Sequence, residues 1–463
     1  MKKHLFSALA ACVLLYACGP EQEGGAPSFR FEVVPDPSFG NLPGLHSFAI
    51  GEGNGEWLLL GGRTNGFHGF SDQQNFPVRR ANMQVYAYNI STHLIDSLSV
   101  DSLPSVLKWQ FRSTNMQHVQ VGNYLYISGG YGATINGTDT TYMTFPVFTR
   151  IDVPAMLVAI HSHNYTAFRK ALVYDQHPVV QATGGEMFRM PNGEFYMVLG
   201  HNFSGRYTAS DAVQIYLDSV RVFTITETDT SVKINTNSFR YYSDNLHDSL
   251  TQFRRRDLVV APYVSEPGTK FGVAVYGGVF TYTSTISNNG DPFTHPIYIP
   301  ASASDNYLLD TSFTQVSNIY SAPSLAMYSL LHNTMFTSIF GGLGDTVKPG
   351  GDNAAFTTRI STLARNYQTN STSVIYNRDT LPDYVGAEGL FVPAGSLPWL
   401  PVEGLRILDY DLLPAGKTLV GRIYGGILSK GPGWDPPQNP TWPSNRVYSV
   451  YITKTTGPSA AKK

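Results

Sequence analysis

Hydrophobic and polar positions alternate in short runs along most of the chain, and six of these runs close on glycine: WLLLGG (57–62), YLYISGG (124–130), FYMVLGH (195–201), VAVYGG (273–278), FTSIFGG (336–342) and GRIYGG (421–426). Their first aligned glycines are Gly61, Gly129, Gly200, Gly277, Gly341 and Gly425. A recurring step of about 70 residues means one supersecondary unit repeated along the chain. A second repeat keeps the same phase: QFRSTNM (110–116), QATGGEM (181–187) and QFRRRDL (252–258) open at the evenly spaced Gln110, Gln181 and Gln252. Each leads into an apolar run, a turn and then the glycine-ended strand. HVQVGNYLYISGG shows this most plainly, with Gly122-Asn123 predicted as a hairpin turn. NMQVYAYNI (82–90), SVRVFTIT (219–226) and RVYSVYIT (446–453) alternate sides and read as third strands. No stretch offers a long amphipathic helix.

Units of four antiparallel strands at this spacing predict an all-β chain folded as a six-bladed β-propeller. The two ends of the chain fit the count. The stretches from Gly425 to Lys463 and from Phe29 to Gly61 together make a wrap-around step of about 70 residues, like the others. RVYSVYIT then supplies the third strand of the last blade and FRFEVV (29–34) its outermost strand, which leaves no open edge at the seam. A seventh blade requires one glycine-ended strand to have degenerated beyond recognition.

A strand ending in paired glycine, preceded by a first strand and followed by a polar loop and an aromatic third strand, resembles the kelch motif. The pairs are Gly61-Gly62, Gly129-Gly130, Gly277-Gly278, Gly341-Gly342 and Gly425-Gly426, with Gly200-His201 as the imperfect copy. Two features depart from the family: the units are longer than its usual period of about 50, and its third-strand tryptophan is missing. The glycines also have a purely structural reading, as places where backbones approach closely.

The segment Met1–Ala17, with two lysines and an apolar run, reads as a secretory signal too short to span a membrane. Leu15-Tyr16-Ala17-Cys18 resembles the bacterial lipobox, which implies cleavage before Cys18 and a diacylglycerol on its thiol, although Tyr16 departs from the usual small residue. The alternative is an ordinary signal peptide with a chance cysteine. The organisation expected is a signal over 1–17, a Gly/Pro/Glu tether over 18–28, a propeller over 29–454 and a disordered tail over 455–463. The acidic residues after Cys18 resemble export signals of Bacteroidetes-type surface lipoproteins, so the address is a lipid-anchored place in the cell envelope.

The chain has 2 Cys, and Cys12 lies inside the signal, so acylation of Cys18 leaves no disulfide, no cysteine-ligated metal and no thiol nucleophile. A net charge of −2 gives no reason to expect nucleic acid. No later apolar run reaches the length of a membrane helix, so the N-terminal lipid is the only membrane contact expected. No cofactor and no metal are predicted.

First strands line the channel of a propeller, so polar residues at their starts face one opening. Aligning the units brings Asn115, Glu186, Asp257, Ser324 and Glu388 to equivalent or near-equivalent places, beside Arg112, Arg254, Arg255 and Arg256. Such a funnel suits sugar hydroxyls, carboxylated sugars or a peptide; alternatively these residues only fill a wet channel with ion pairs. In the loop GPGWDPPQNPTWPSN (431–445), Trp434 and Trp442 suit stacking on sugars or anchoring a protein, or they pack down as a satellite core. His161 and His163 are expected on a surface strand rather than at a metal. GLGDTVKPGGDN (342–353) lacks the spacing of a phosphate-binding loop, and its Asp345 and Asp352 are expected in a mobile turn rather than at a calcium ion. GEGNGE (51–56) resembles a dinucleotide fingerprint only superficially, since it is expected to join two antiparallel strands and opens no helix.

The reading is therefore an envelope lipoprotein that binds a glycan or protein ligand. Kelch resemblance also implies an enzymatic alternative of the sialic acid mutarotase type, with Glu186 as acid/base and Arg254 or Arg112 gripping a sugar carboxylate. The galactose oxidase type is disfavoured, since its cysteine-linked tyrosine needs a cysteine that the mature chain lacks. A scaffold subunit of an envelope complex is the third possibility.

Overall fold

The computed structural model describes residues 28–69, 76–207, 209–246, 251–266, 270–281, 291–347, 355–433 and 440–455. The signal, Cys18, most of the tether, Trp434, Asp352 and the tail beyond Thr455 lie outside them.

Six four-stranded antiparallel sheets follow one another along the chain. Their inner strands are Ala49–Gly53, Gln117–Val121, Glu186–Arg189, Val259–Glu266, Ser324–Ser329 and Gly389–Pro393. Each is followed outward by the glycine-ended strand and then by the third strand, as the alternation predicts. In the sixth sheet Val447–Thr455 pairs with Ser28–Pro35, in register from Ser28 opposite Thr455 to Pro35 opposite Tyr448, so the two ends of the chain share a sheet. The fifth sheet gains a strand, Ile407–Asp409, parallel to its inner strand.

Strands in these sheets are buried on both faces. Phe195 and Met197 of the third sheet pack toward the second, while Tyr196 and Val198 pack toward the fourth. The same alternation builds six hydrophobic clusters, one between each successive pair of sheets, and the last joins Val392, Tyr424 and Val447 of the sixth sheet to Trp57, Leu59 and Tyr88 of the first. Each fully buried aliphatic or aromatic side chain contributes roughly 1.5–3 kcal/mol.

The paired glycines explain how closely the sheets approach. Amides of Gly62, Gly130, Gly278, Gly342 and Gly426 donate to the carbonyls of Ser113, Ala182, Ile319, Val385 and Leu45, each in the segment that enters the next sheet. The imperfect copy is shifted by one residue from its expected alignment: Leu199, at a φ of 61°, stands in the first place, and Gly200 rather than His201 makes the equivalent bond, to Arg255. A Cβ on Gly129 would lie 1.8 Å from the Ala182 carbonyl oxygen, and one on Gly277 2.2 Å from that of Ile319. No side chain fits there.

A second cycle of bonds runs through the residues just before the inner strands. Asn115 N–H donates to Ser47 O (3.0 Å), Gly184 to Asn115 (3.3 Å), Asp257 to Gly184 (2.7 Å), Ser321 to Asp257 (2.9 Å), Glu388 to Ser321 (3.3 Å), and Ser47 back to Glu388 (3.0 Å). The cycle closes. All six inner strands thus start at one face, here called the ring face, and the turns that follow them lie on the opposite, far face.

Insertions add to this frame. Loops of the second and third sheets form a further four-stranded sheet from Tyr131–Asn136, Asp139–Thr144, His201–Ser204 and Val213–Tyr216. Helix α1 (Ser105–Phe111) precedes the second sheet, and α2 (Val153–His161) and α3 (Tyr165–Lys170) connect its third and fourth strands. The strand expected to carry His161 and His163 is therefore wrong. Asp152 caps α2 through the Ala155 amide and Pro154 sits in its first turn, both helix-start signals. The two histidines also have acidic partners from the first sheet: His161 Nε2 lies 3.0 Å from Glu56 and His163 Nε2 3.5 Å from Asp96.

Candidate ligand site in the central cavity

Five of the six ring residues have positive φ: Ser47 (56°), Asn115 (54°), Gly184 (67°), Asp257 (49°) and Glu388 (59°). Non-glycine residues take this conformation only where the surroundings impose it, and here the closed cycle of amides does so. Its effect is to turn the side chains of Ser47, Asn115, Asp257 and Glu388 into a common cavity of about 290 Å³, which runs from the ring along the inner strands to Glu52, Gln120 and Arg406.

All five aligned polar residues line this cavity. Asn115, Asp257 and Glu388 occupy the ring itself, whereas Glu186 and Ser324 are the first residues of their inner strands. Between these polar groups the wall is apolar, with Ile50, Val119, Met187, Val260, Leu325 and Leu390.

The carboxyl groups dominate the electrostatics. Burial pushes Glu186 up to about 7, with no hydrogen bond or charge contributing to offset it. Burial, reinforced by the charges of Asp257 and Glu186, pushes Glu388 up to about 8, although Ser47 and Arg256 pull it down. Asp257 also rises, burial outweighing the attraction of Arg256. Glu186 and Glu388 thus face each other in a low-dielectric space, the arrangement that raises carboxyl pKa values toward neutrality, while Asp257 beside them is ion-paired with Arg256.

The partners of these groups are few. Ser47 Oγ donates to Glu388 Oε2 (2.8 Å) and also lies 2.9 Å from His46 Nδ1. Burial holds His46 down to about 3, so its imidazole is neutral. Arg256 donates to Asp257 Oδ2 (3.0 Å) and to the Tyr216 hydroxyl (3.1 Å).

The predicted arginine lining is not found. Arg112 caps the end of α1 with its guanidinium over the Trp109 ring. Arg254 lies 3.9 Å from the Tyr216 ring centroid and donates to the Phe280 carbonyl. Arg255 is fully buried and donates to the carbonyls of Gln252, Gly277 and His295, a structural role. Arg256 reaches the site only through Asp257. Successive residues of an extended segment point to opposite sides, so adjacency in sequence did not bring all of them to the funnel.

Sequence reasoning missed Ser47, His118, Trp399 and Arg406, which also line the cavity. Ser47 had a signal, since it stands one repeat step before Asn115 at the same phase. Arg406 had none. It lies in the long connection between the first two strands of the sixth sheet, Gly389–Pro393 and Gly416–Gly425, and pairs with Glu52 at 2.8 Å.

Trp442 lies on the paired strands Ile427–Ser429 and Thr441–Pro443, is 46% exposed and is not part of the cavity lining. Asp345 is engaged by Thr357 and Arg359. GEGNGE joins the first two strands of the first sheet as a hairpin, as expected. Among the described residues no cluster of three or more histidine, cysteine, aspartate or glutamate side chains is arranged to hold a metal ion, and no helix is long and apolar enough to cross a membrane.

No family model and no curated protein matches the chain. Among solved structures it is similar to YjhT, at 11% identity and a TM-score of 0.42 over 87% of this chain and 98% of that one. It is also similar to a fungal alcohol oxidase of the AA5 family in complex with copper, at 9% identity and a TM-score of 0.40 over 93% of this chain and 77% of that one.

Proposed function

We propose that the six sheets are the blades of a kelch-like β-propeller, held at the cell envelope by a lipid on Cys18, and that the central cavity binds an uncharged, hydroxyl-rich ligand such as the end of a glycan. The closed cycle of six inter-sheet bonds supports the blade count. The observation that carries the ligand class is the pair Glu186 and Glu388, both pushed up by burial in one cavity with apolar walls. A protonated carboxyl both donates and accepts, which suits sugar hydroxyls. The cavity is of the size that takes one or two sugar rings rather than a protein segment. A carboxylated sugar is disfavoured, because among the described residues the one guanidinium in the lining, Arg406, is paired with Glu52.

Isothermal titration of neutral mono- and disaccharides against the purified chain tests this. Binding that is lost in Glu186→Gln and kept in Trp442→Ala supports the cavity. Binding that follows Trp442 instead overturns it.

One observation favours a second reading, in which the chain moves a proton on its sugar. A carboxyl poised near 7 with no partner is suited to act as acid and base in turn. In that case Glu186→Gln abolishes sugar anomer exchange while affinity persists.

A further inference from the structure

The far face carries an apolar surface that the frame does not use. Among the described residues the five most exposed large hydrophobic side chains are Leu331 (76%), Leu94 (70%), Leu412 (69%), Val158 (63%) and Leu330 (59%). All five lie on that face. Leu330 and Leu331 form the turn after the inner strand of the fifth sheet, and Leu94 the turn between the third and fourth strands of the first. Val158 is on α2, which bridges the second sheet to the first. Leu412 follows Ile407–Asp409, which runs parallel to an inner strand toward the same face.

The chain also enters the fold there. Ser28 pairs with Thr455 at the far end of the sixth sheet, between the first and fifth. Next to it, Lys454 Nζ donates to the carbonyls of Tyr410 and Asp411 (both 3.2 Å), and Asp411 Oδ2 accepts from the Leu331 amide (3.0 Å). A continuous set of contacts therefore joins the entry point to Leu331 and Leu412. Exposed leucines gathered in one place are unfavourable in water and mark a contact surface.

We infer that this face docks on the bilayer that takes the Cys18 lipid, with Leu330, Leu331 and Leu412 entering the headgroup layer. The inference rests on the lipoprotein reading given above, and it revises the expectation that the lipid is the only membrane contact. Nine residues lie between Cys18 and Ser28, and the ten steps from one to the other reach at most about 36 Å when fully extended. The tether leaves the fold at this face, so an anchored Cys18 brings this face to the membrane by the shortest path, whereas presenting the ring face would use about 26 Å of that reach along the eight residues Ser28–Pro35. A protein partner has no such reason to meet this face.

The test uses the full-length chain purified from membranes, in vesicles of phosphatidylethanolamine and phosphatidylglycerol at three to one. An environment-sensitive fluorophore is placed at Leu331→Cys or, on the ring-face sheet, at Ile215→Cys, both exposed positions where folding is not at stake. Quenching by bromolipids is read alongside the mass of the N-terminal peptide. An acylated Cys18 with quenching at 331 at least threefold that at 215 supports docking. An acylated Cys18 with equal or absent quenching overturns docking and leaves the lipoprotein reading intact. An unmodified N-terminus overturns the lipoprotein reading, and docking with it.

Discussion

The glycine belt and the carboxyl ring stand close together in every sheet, yet they treat polar groups in opposite ways. In the belt each donor is a backbone amide, each acceptor a backbone carbonyl, and the pairing is complete from one sheet to the next. In and beside the ring the backbone is equally well paired, but Glu388 and Glu186 are carboxyls pushed up by burial, Glu388 held by Ser47 and Glu186 offset by no hydrogen bond. Buried polar groups are ordinarily satisfied. A place that departs from this while its neighbours obey it is where stability has been given up for chemistry, and the frame beside it is what makes the departure tolerable.

The largest expected effect comes from attacking the belt. Gly129→Ala forces a Cβ onto the Ala182 carbonyl at a φ of 65° and should cost about 3 kcal/mol, read as a shift of the urea midpoint. Gly122→Ala, also at positive φ but with open space around it, should cost only about 1 kcal/mol. Equal losses at both sites would mean that backbone conformation, rather than sheet contact, explains the paired glycines.

The ring should respond in the opposite direction. Glu388 has a folded pKa of about 8, above the 4.5 of an ordinary glutamate, so the folded state holds a proton that the unfolded state has released. Stability therefore falls as pH rises from about 4.5 through about 8 and is then level. Glu388→Gln removes this penalty while keeping an acceptor for Ser47, so it should stabilise the chain by about 2 kcal/mol at pH 9 and by little at pH 4. A pH-independent gain would show that the residue is poorly packed rather than poorly solvated.

Trp442→Ala is the smallest change, within about 0.5 kcal/mol, because the indole is half exposed on a short hairpin. A larger loss would make that hairpin part of the frame.

These contrasts also indicate what a sequence can carry. Gly61, Gly129, Gly277, Gly341 and Gly425 were legible because a steric need recurs at five of the six sheet junctions, the sixth holding Leu199 at a φ of 61° in the same place. Asn115, Glu186, Asp257, Ser324 and Glu388 were legible because the repeat fixes their phase. Ser47 was passed over although it keeps that phase, since no segment before it carried the motif. The arginines were misread because phase gives height along a strand but not the side a residue faces. Arg255 turns into the frame and Arg254 onto Tyr216, while only Arg256 meets a ring carboxylate. The helix over Val153–His161 was hidden by the period-two spacing of two histidines, which outweighed the Asp152 and Pro154 signals in front of them.

The most direct test is the protonation of Glu186 itself. Difference infrared spectra of the ¹³C-glutamate-labelled chain and of Glu186→Gln, taken from pH 4 to 9, isolate its carboxyl band. A protonated band that persists past pH 6 and disappears with a midpoint near 7 is the result expected of a desolvated acid facing the cavity. A midpoint near 4.5 would place the group in water and contradict the site.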